Sequence, residues 1–286
     1  MWVLYAFASA FFAGITSILA KIGIKNVDSH LATALRTIVI LLFSWLIVFF
    51  AGLLPDIHQL SFNTWIFLIL SGLATGFSWL CYFKALQLGN VNKVTPIDKS
   101  STILTMIFAM IFLGEQITMI KIISILCIAI GTYMMIDKKE NVKKVKDNTW
   151  LIYALGSAVF ASLTAILGKV GMQGVESNLG TAIRTAVVLV MAWVLVFVTG
   201  KQNDIKTLDM KSWVFILLSG LTTGLSWLFY YKALQDGQAS IVVPIDKLSI
   251  VLTITFSYFF LKEKLSWNAF MGFIGVVAGT LLLLLK

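Results

Sequence analysis

The chain has 286 residues, 59% of them hydrophobic and only 12% charged, with a mean hydropathy of +0.94. A soluble domain carries roughly twice that charged fraction, so a water-soluble globule is excluded. The net charge of +9 lies mostly on loop lysines and reads as a topology signal rather than a nucleic-acid patch.

Apolar runs of about 18 to 22 residues recur along the chain, each long enough to cross a hydrocarbon core about 30 Å thick. They are continuous rather than alternating, which excludes a β-barrel. The first covers approximately residues 2–21 and has no basic stretch before it, so it is expected to be a retained helix and not a cleaved signal. Further segments follow at approximately 31–51, 64–86, 93–113 and 117–136. A polar linker, DKKENVKKVKDNT (137–149), separates them from segments at approximately 150–169, 179–199, 212–234, 241–261 and 265–285.

The second half repeats the first at a constant offset of 148 residues: HLATALRT answers NLGTAIRT, and LSGLATGFSWLCYFKALQLG answers LSGLTTGLSWLFYYKALQDG. Roughly 59 of about 135 paired positions are identical, without a gap, so the chain is an internal duplication. The fold class expected is all-α integral membrane: ten transmembrane helices as two five-helix repeats, 1–136 and 150–286, joined by the linker. Because five is odd, the second repeat must insert upside down relative to the first. Lys25, Lys93, the linker lysines, Lys201, Lys206, Lys211, Lys262 and Lys264 fall on one side, against little beyond Lys121 and Lys286 on the other. The positive-inside rule therefore predicts a multi-pass plasma (inner) membrane protein with a cytoplasmic linker and both termini outside.

Charge within the spans is the strongest functional signal, because each intramembrane ionisable group costs about 2.5–3.5 kcal/mol on insertion scales. Both halves keep the same set: Lys21 and Lys169, Arg36 and Arg184, Lys84 and Lys232, Asp98 and Asp246, Lys99 and Lys247. Arg36 and Arg184, in the second turn of their helices, can face a cavity and grip a carboxylate or phosphate; the alternative is snorkelling or pairing with an internal Asp. In the repeated PIDK element, Pro96 and Pro244 favour a bend. Adjacent helical residues point about 100° apart, so Lys99 and Lys247 are expected to face the cavity while Asp98 and Asp246 bind Arg or Lys nearby, for coupling or as a structural ion pair. Trp79, Tyr82, Trp227 and Tyr230 can form an aromatic wall, or an interface belt. Lys84 and Lys232 end the third helices, where a lysine also suits the helix dipole. Lys21 and Lys169 read as anchors. Gly72–Gly76 and Gly220–Gly224 read as close helix contacts. Cys81 and Cys127 lie in apolar segments, and His30 and His58 lack metal-ligand spacing, so neither a disulfide framework nor a metal site is indicated.

Ala-Leu-Arg and Ala-Ile-Arg early in the second helices, YFKALQLG and YYKALQDG closing the third, and Glu115 and Glu263 after the fourth resemble the drug/metabolite transporter superfamily in its ten-helix EamA branch. The resemblance covers essentially the whole chain. It implies an alternating-access transporter with a pocket built from the first, third and fourth helices of both halves. PIDK is not a general feature of that family, whose usual fourth-helix Pro lies nearer Thr102 and Ile250. Most ten-helix members keep both termini in the cytoplasm, against the lysine bias here. The intramembrane set of eight basic groups and two acids leaves a net positive field. The expected function is therefore secondary transport of a small anionic or zwitterionic metabolite: an amino acid, organic acid or phosphate ester. The alternative is a lipid-linked or headgroup flippase, or a subunit of an envelope-building complex. No enzyme activity, cofactor or nucleic-acid partner is expected; the partners expected are a small-molecule substrate and membrane lipids, with the chain a monomer or homodimer.

Overall fold

The computed structural model describes residues 1–23, 27–88, 91–135, 149–260 and 266–285, and these are almost wholly helical. The first repeat contains α1 (Trp2–Gly23), α2 (Ser29–Phe50), α3 (Phe62–Leu88), α4 (Val91–Lys99), α5 (Ser101–Phe112) and α6 (Met119–Met134). The second contains α7 (Thr149–Met172), α8 (Ser177–Thr199), α9 (Met210–Asp236), α10 (Ala239–Lys247), α11 (Ser249–Phe260) and α12 (Trp267–Leu282). Lys25, Lys262, Lys264, Lys286 and all of the linker except Thr149 lie outside the described residues.

Helices dominate because hydrocarbon offers no water to backbone N–H and C=O groups, and a helix satisfies them internally. Where helices begin, side chains complete the ends: Asp28 accepts from the N–H groups of His30 (2.9 Å) and Leu31 (3.2 Å), and Glu176 from those of Asn178 (2.7 Å) and Leu179 (3.3 Å). The helices α2 and α8 thus each open with a serine, Ser29 and Ser177, directly behind a capping acid. Seven of the described spans are long and apolar enough to cross a membrane on their own. The fourth crossing of each repeat is broken in two, at Ser100 and Leu248. There Ser100 N–H and Leu248 N–H bond back to Ile97 O (3.2 Å) and Ile245 O (2.9 Å), one residue short of the α-helical partner. The break falls four residues after the proline, later than the bend the sequence suggested. With α4–α5 and α10–α11 counted as one crossing each, every repeat crosses five times, and the two lie in inverted topology.

The packing obeys the same internal symmetry. The most extensive contacts are between repeats: α1 lies on α9, α3 on α7, α2 on α8 and α6 on α12. Glycine makes these approaches possible. A Cβ at Gly72 would sit 2.7 Å from Val187 Cβ on α8, and one at Gly220 2.7 Å from Val39 Cβ on α2. The two GxxxG pairs are therefore crossing points, as close-packed membrane helices require. A second seam joins α6 to α12, where a Cβ at Gly131 would lie 2.6 Å from the carbonyl oxygen of Gly272. Large apolar side chains such as Leu46, Phe49, Phe50, Val190 and Phe197 point outward, toward lipid.

Substituting Gly72 or Gly220 by Val should destabilise the folded protein by about 1–3 kcal/mol through overpacking. It should lower the thermal unfolding midpoint in detergent, whereas Leu46→Ala on the lipid-facing surface should leave it nearly unchanged.

Candidate functional site

Between the two repeats lies a cavity of about 360 Å³, within the usual range for small-molecule sites. Its walls come from both halves in matched pairs: Ala13 and Ala161, Thr16 and Thr164, Arg36 and Arg184, Thr75 and Thr223, Ser78 and Ser226, Trp79 and Trp227. Tyr230, Tyr231, Asp246 and Lys247 complete the lining. The second helices α2 and α8 contribute through their arginines, so the wall is wider than the first, third and fourth helices that the family resemblance implied.

Arg184 dominates the electrostatics. Its side chain is 2% exposed. Nε donates to Ser71 Oγ at 2.9 Å, and Nη2 donates to Thr75 Oγ1. The guanidinium carbon lies 4.6 Å from the Tyr231 ring centroid and 5.3 Å from that of Trp227. Charge-assisted hydrogen bonds contribute about 1.5–3 kcal/mol each, and desolvated cation–π contacts about 2 kcal/mol, which offset part of the desolvation cost. Among the described residues no carboxylate pairs with Arg184 or with Arg36. Arg184 Nη1 and Arg36 Nε have no hydrogen-bond partner there.

The PIDK elements are arranged differently from the expectation. Asp246 Oδ1 accepts from the Ser9 hydroxyl at 2.6 Å, and Ser226 Oγ lies 3.2 Å from Ser9 Oγ. In the other half Asp98 Oδ1 accepts from Ser157 at 2.7 Å, while Ser78 donates to the Ser157 carbonyl at 3.1 Å. Each aspartate thus meets a serine on the first helix of the opposite repeat, and only Asp246 also has a lysine beside it among the described residues. A hydroxyl satisfies a carboxylate lone pair without burying a second charge. Asp246 and Lys247 also share the cavity, with Lys247 Nζ 3.7 Å from Asp246 Oδ2. The 100° argument fails because α10 ends at Lys247 and the long side chain folds back. With Lys247 47% exposed, that pair contributes under about 1 kcal/mol and is easily exchanged.

Of the residues singled out by sequence, Arg36, Arg184, Trp79, Trp227, Tyr230, Asp246 and Lys247 line the cavity, whereas Tyr82, Lys84, Asp98, Lys99 and Lys232 do not. Tyr82 packs with Ala85, Val94 and Ala154. Lys84 and Lys99 are exposed. Lys232 pairs along its own helix with Asp236 at 3.4 Å. Sequence reasoning missed Tyr231 and the hydroxyl set Ser9, Ser71, Thr75, Ser78, Ser157 and Ser226. Their signal was small polar residues kept in both repeats within otherwise apolar helices.

At the end of the bundle holding Trp2 and the α9–α10 turn, buried polar contacts tie the second repeat's hairpin down. Glu115, which follows α5, accepts from the N–H groups of Ala239 (2.6 Å) and Ser240 (3.1 Å) and from the Ser240 hydroxyl, at the N-terminus of α10. Lys169 donates to the carbonyls of Leu234 (2.8 Å) and Gly237, at the C-terminal end of α9. Gln235 donates to the carbonyls of Met172 (2.6 Å) and Val175 (2.7 Å). Lys121 Nζ lies 3.6 Å from Glu115 Oε2, both 6% exposed, close enough for an ion pair but too far for a hydrogen bond. The position equivalent to Lys121 in the second repeat is Ala269.

The sequence matches the EamA-like transporter family over residues 1–137 and again over 148–285. The chain belongs to the EamA-like transporter family. It is a multi-pass membrane protein of a transporter family. Among its relatives, the "Uncharacterized transporter in cobO 3'region" of Sinorhizobium sp is 43% identical over 137 residues, 48% of this chain and 97% of that protein. That relative is therefore about one repeat long. An "Uncharacterized transporter" of Archaeoglobus fulgidus is 23% identical over 266 residues, 92% of this EamA chain and 90% of the relative. A solved crystal structure superposes with a TM-score of 0.77 at 14% identity, covering 99% of this chain and 96% of that one, a likeness of fold alone.

Removing the Glu115 carboxylate leaves Lys121 buried without its charge partner. Glu115→Ala should therefore lower stability by about 3–5 kcal/mol, and adding Lys121→Leu should recover most of the loss. Thermal melts of the two variants check this.

Proposed function

We propose that this EamA-family protein is a secondary transporter of a small anionic or zwitterionic metabolite, carried through the central cavity by alternating access. The observation that carries this reading is Arg184: a fully buried guanidinium on the cavity wall, with no carboxylate partner among the described residues and an unpaired Nη1. A group so costly to bury persists where a ligand completes it. A carboxylate or phosphate matches its planar donor geometry. The charged groups lining the cavity are two guanidiniums and one ammonium against one carboxylate, a net positive field for such a ligand. Trp79, Trp227 and Tyr230 add flat apolar surface for the rest of the molecule. Asp246, with its weakly held Lys247, supplies the one cavity carboxylate able to receive an ammonium group or a proton. The lysine distribution supports a cytoplasmic linker side.

In proteoliposomes, Arg184→Gln should lower apparent substrate affinity or transport rate at least tenfold, about 1.4 kcal/mol. Arg184→Lys should not restore it, because an ammonium cannot reproduce the planar fork. Substrates for the assay come from a thermal-shift panel of carboxylates, amino acids and phosphate esters, since a ligand bound only by the native state raises its melting temperature. Wild-type transport by Arg184→Gln would overturn the assignment.

A further inference from the structure

The charged lining of the cavity does not balance. Arg36, Arg184 and Lys247 face one carboxylate, Asp246. Lys247 and Asp246 lie 3.7 Å apart and offset one another. Two guanidiniums remain, with no carboxylate set against either among the described residues. Arg184 is held by Ser71, Thr75 and the rings of Tyr231 and Trp227. Hydroxyls and rings carry no formal charge, so they steady the guanidinium and leave its positive charge uncancelled. Each arginine also keeps one buried nitrogen without a hydrogen-bond partner there, Arg36 Nε and Arg184 Nη1.

The two arginines stand at separate places. Leu31, Ala34 and Leu35 near the start of α2 cluster with Ala192 and Val196 near the end of α8. Val48 near the end of α2 shares a cluster with Leu179, Ala182 and Ile183 near the start of α8. The two helices therefore lie antiparallel. With Leu31 level with Val196 and Leu35 with Ala192, Arg36 comes level with Met191, about seven residues along α8 from Arg184. At about 1.5 Å per residue the two backbones are about 10 Å apart along the helix axis. Ser71 and Thr75 pin Arg184 on its own side. The walls between the arginines come in matched pairs from the two repeats, Trp79 with Trp227 and Thr16 with Thr164. A site with two like ends and an aromatic middle suits a ligand of the same pattern.

We infer that the ligand is a dianion with two separated anionic ends, a short α,ω-dicarboxylate, held by Arg184 at one end and Arg36 at the other. The tryptophan pair covers the methylenes between them. Two carboxylates cancel the two guanidinium charges and leave the loaded cavity neutral. A monocarboxylate leaves one arginine uncompensated, and a zwitterion leaves the net charge of the site as it was. Both are costly in a membrane cavity, where charges are screened less than in bulk water. A compact phosphate carries its charge at one centre and cannot serve two anchors set apart. This inference rests on reading the cavity as an anion site, and it names the charge and shape of the anion.

The test is calorimetric titration of the full chain in lipid nanodiscs at neutral pH. The probes are succinate, glutarate, adipate, butyrate, leucine and inorganic phosphate, with the mono-amide of whichever dicarboxylate binds tightest. That dicarboxylate should bind at least about tenfold more tightly than its mono-amide, which keeps the length and removes one charge, and than butyrate, leucine or phosphate. Arg36→Gln and Arg184→Gln should each weaken the dicarboxylate about tenfold or more, bringing it close to the mono-amide's affinity for the unaltered chain. Equal affinity for the dicarboxylate and its mono-amide overturns the inference on the unaltered chain, even if both arginine variants fold poorly. Tighter binding of phosphate or leucine than of every dicarboxylate overturns it too. If Arg184→Gln abolishes anion binding while Arg36→Gln changes nothing, the ligand has a single anionic end; the anion site then stands and the two-ended ligand falls. Binding of none of the probes rejects both.

Discussion

A polar group sealed from water must find its partner within the protein, and in this molecule the partner is repeatedly supplied by the other repeat. Asp98 is met by Ser157, Asp246 by Ser9, Arg184 by Ser71 and Thr75, and the N-terminus of α10 by Glu115. Each of these contacts joins one half to the other. Dispersion at the glycine crossings brings the helices together without distinguishing one polar neighbour from another. The hydrogen bonds add directionality, because in hydrocarbon an unmatched donor or acceptor costs several kcal/mol. The cavity between the halves follows from this cross-repeat pairing, since the helices that meet there carry hydroxyls and arginines too numerous for a closed apolar core.

Much of the fold could be read from the residues. Continuous apolar runs and a gapless 148-residue repeat are enough for ten crossings in two inverted halves, and GxxxG located two of the crossing points. The site was legible where a residue is expensive to bury: both arginines, both tryptophans and Asp246–Lys247 of the second PIDK line the cavity. It was illegible where the deciding groups are cheap. A serine in a transmembrane helix can bond to its own backbone four residues back, so its sequence does not say that it holds an aspartate on another helix. Periodicity also treated the two halves as equal. Tyr82 and Lys99 were expected beside Tyr230 and Lys247, yet only the latter two line this cavity, because one conformation of a symmetric sequence need not be symmetric.

That asymmetry gives the duplication a functional meaning. Two identical halves would present the same contacts at either end. Here Lys121 stands opposite Ala269 and Tyr231 opposite Phe83, so the ends have diverged in charge and hydroxyl content while the central pairs have not. The Sinorhizobium relative is about one repeat long and 43% identical over that length. Joining two such units in one chain lets each end change alone.

The exchange of partners between halves also sets the order of events during synthesis. Asp98 emerges from the ribosome well before Ser157, and Ser9 long before Asp246. At the usual 5–20 residues per second the first carboxylate waits about 3–12 s and the first serine about 12–47 s for its hydrogen-bond partner. The leading half is therefore made without these cross-repeat partners, which arrive only with the trailing half. A nascent chain of this design is most vulnerable to membrane quality control in that interval, long before anything is wrong with the mature fold.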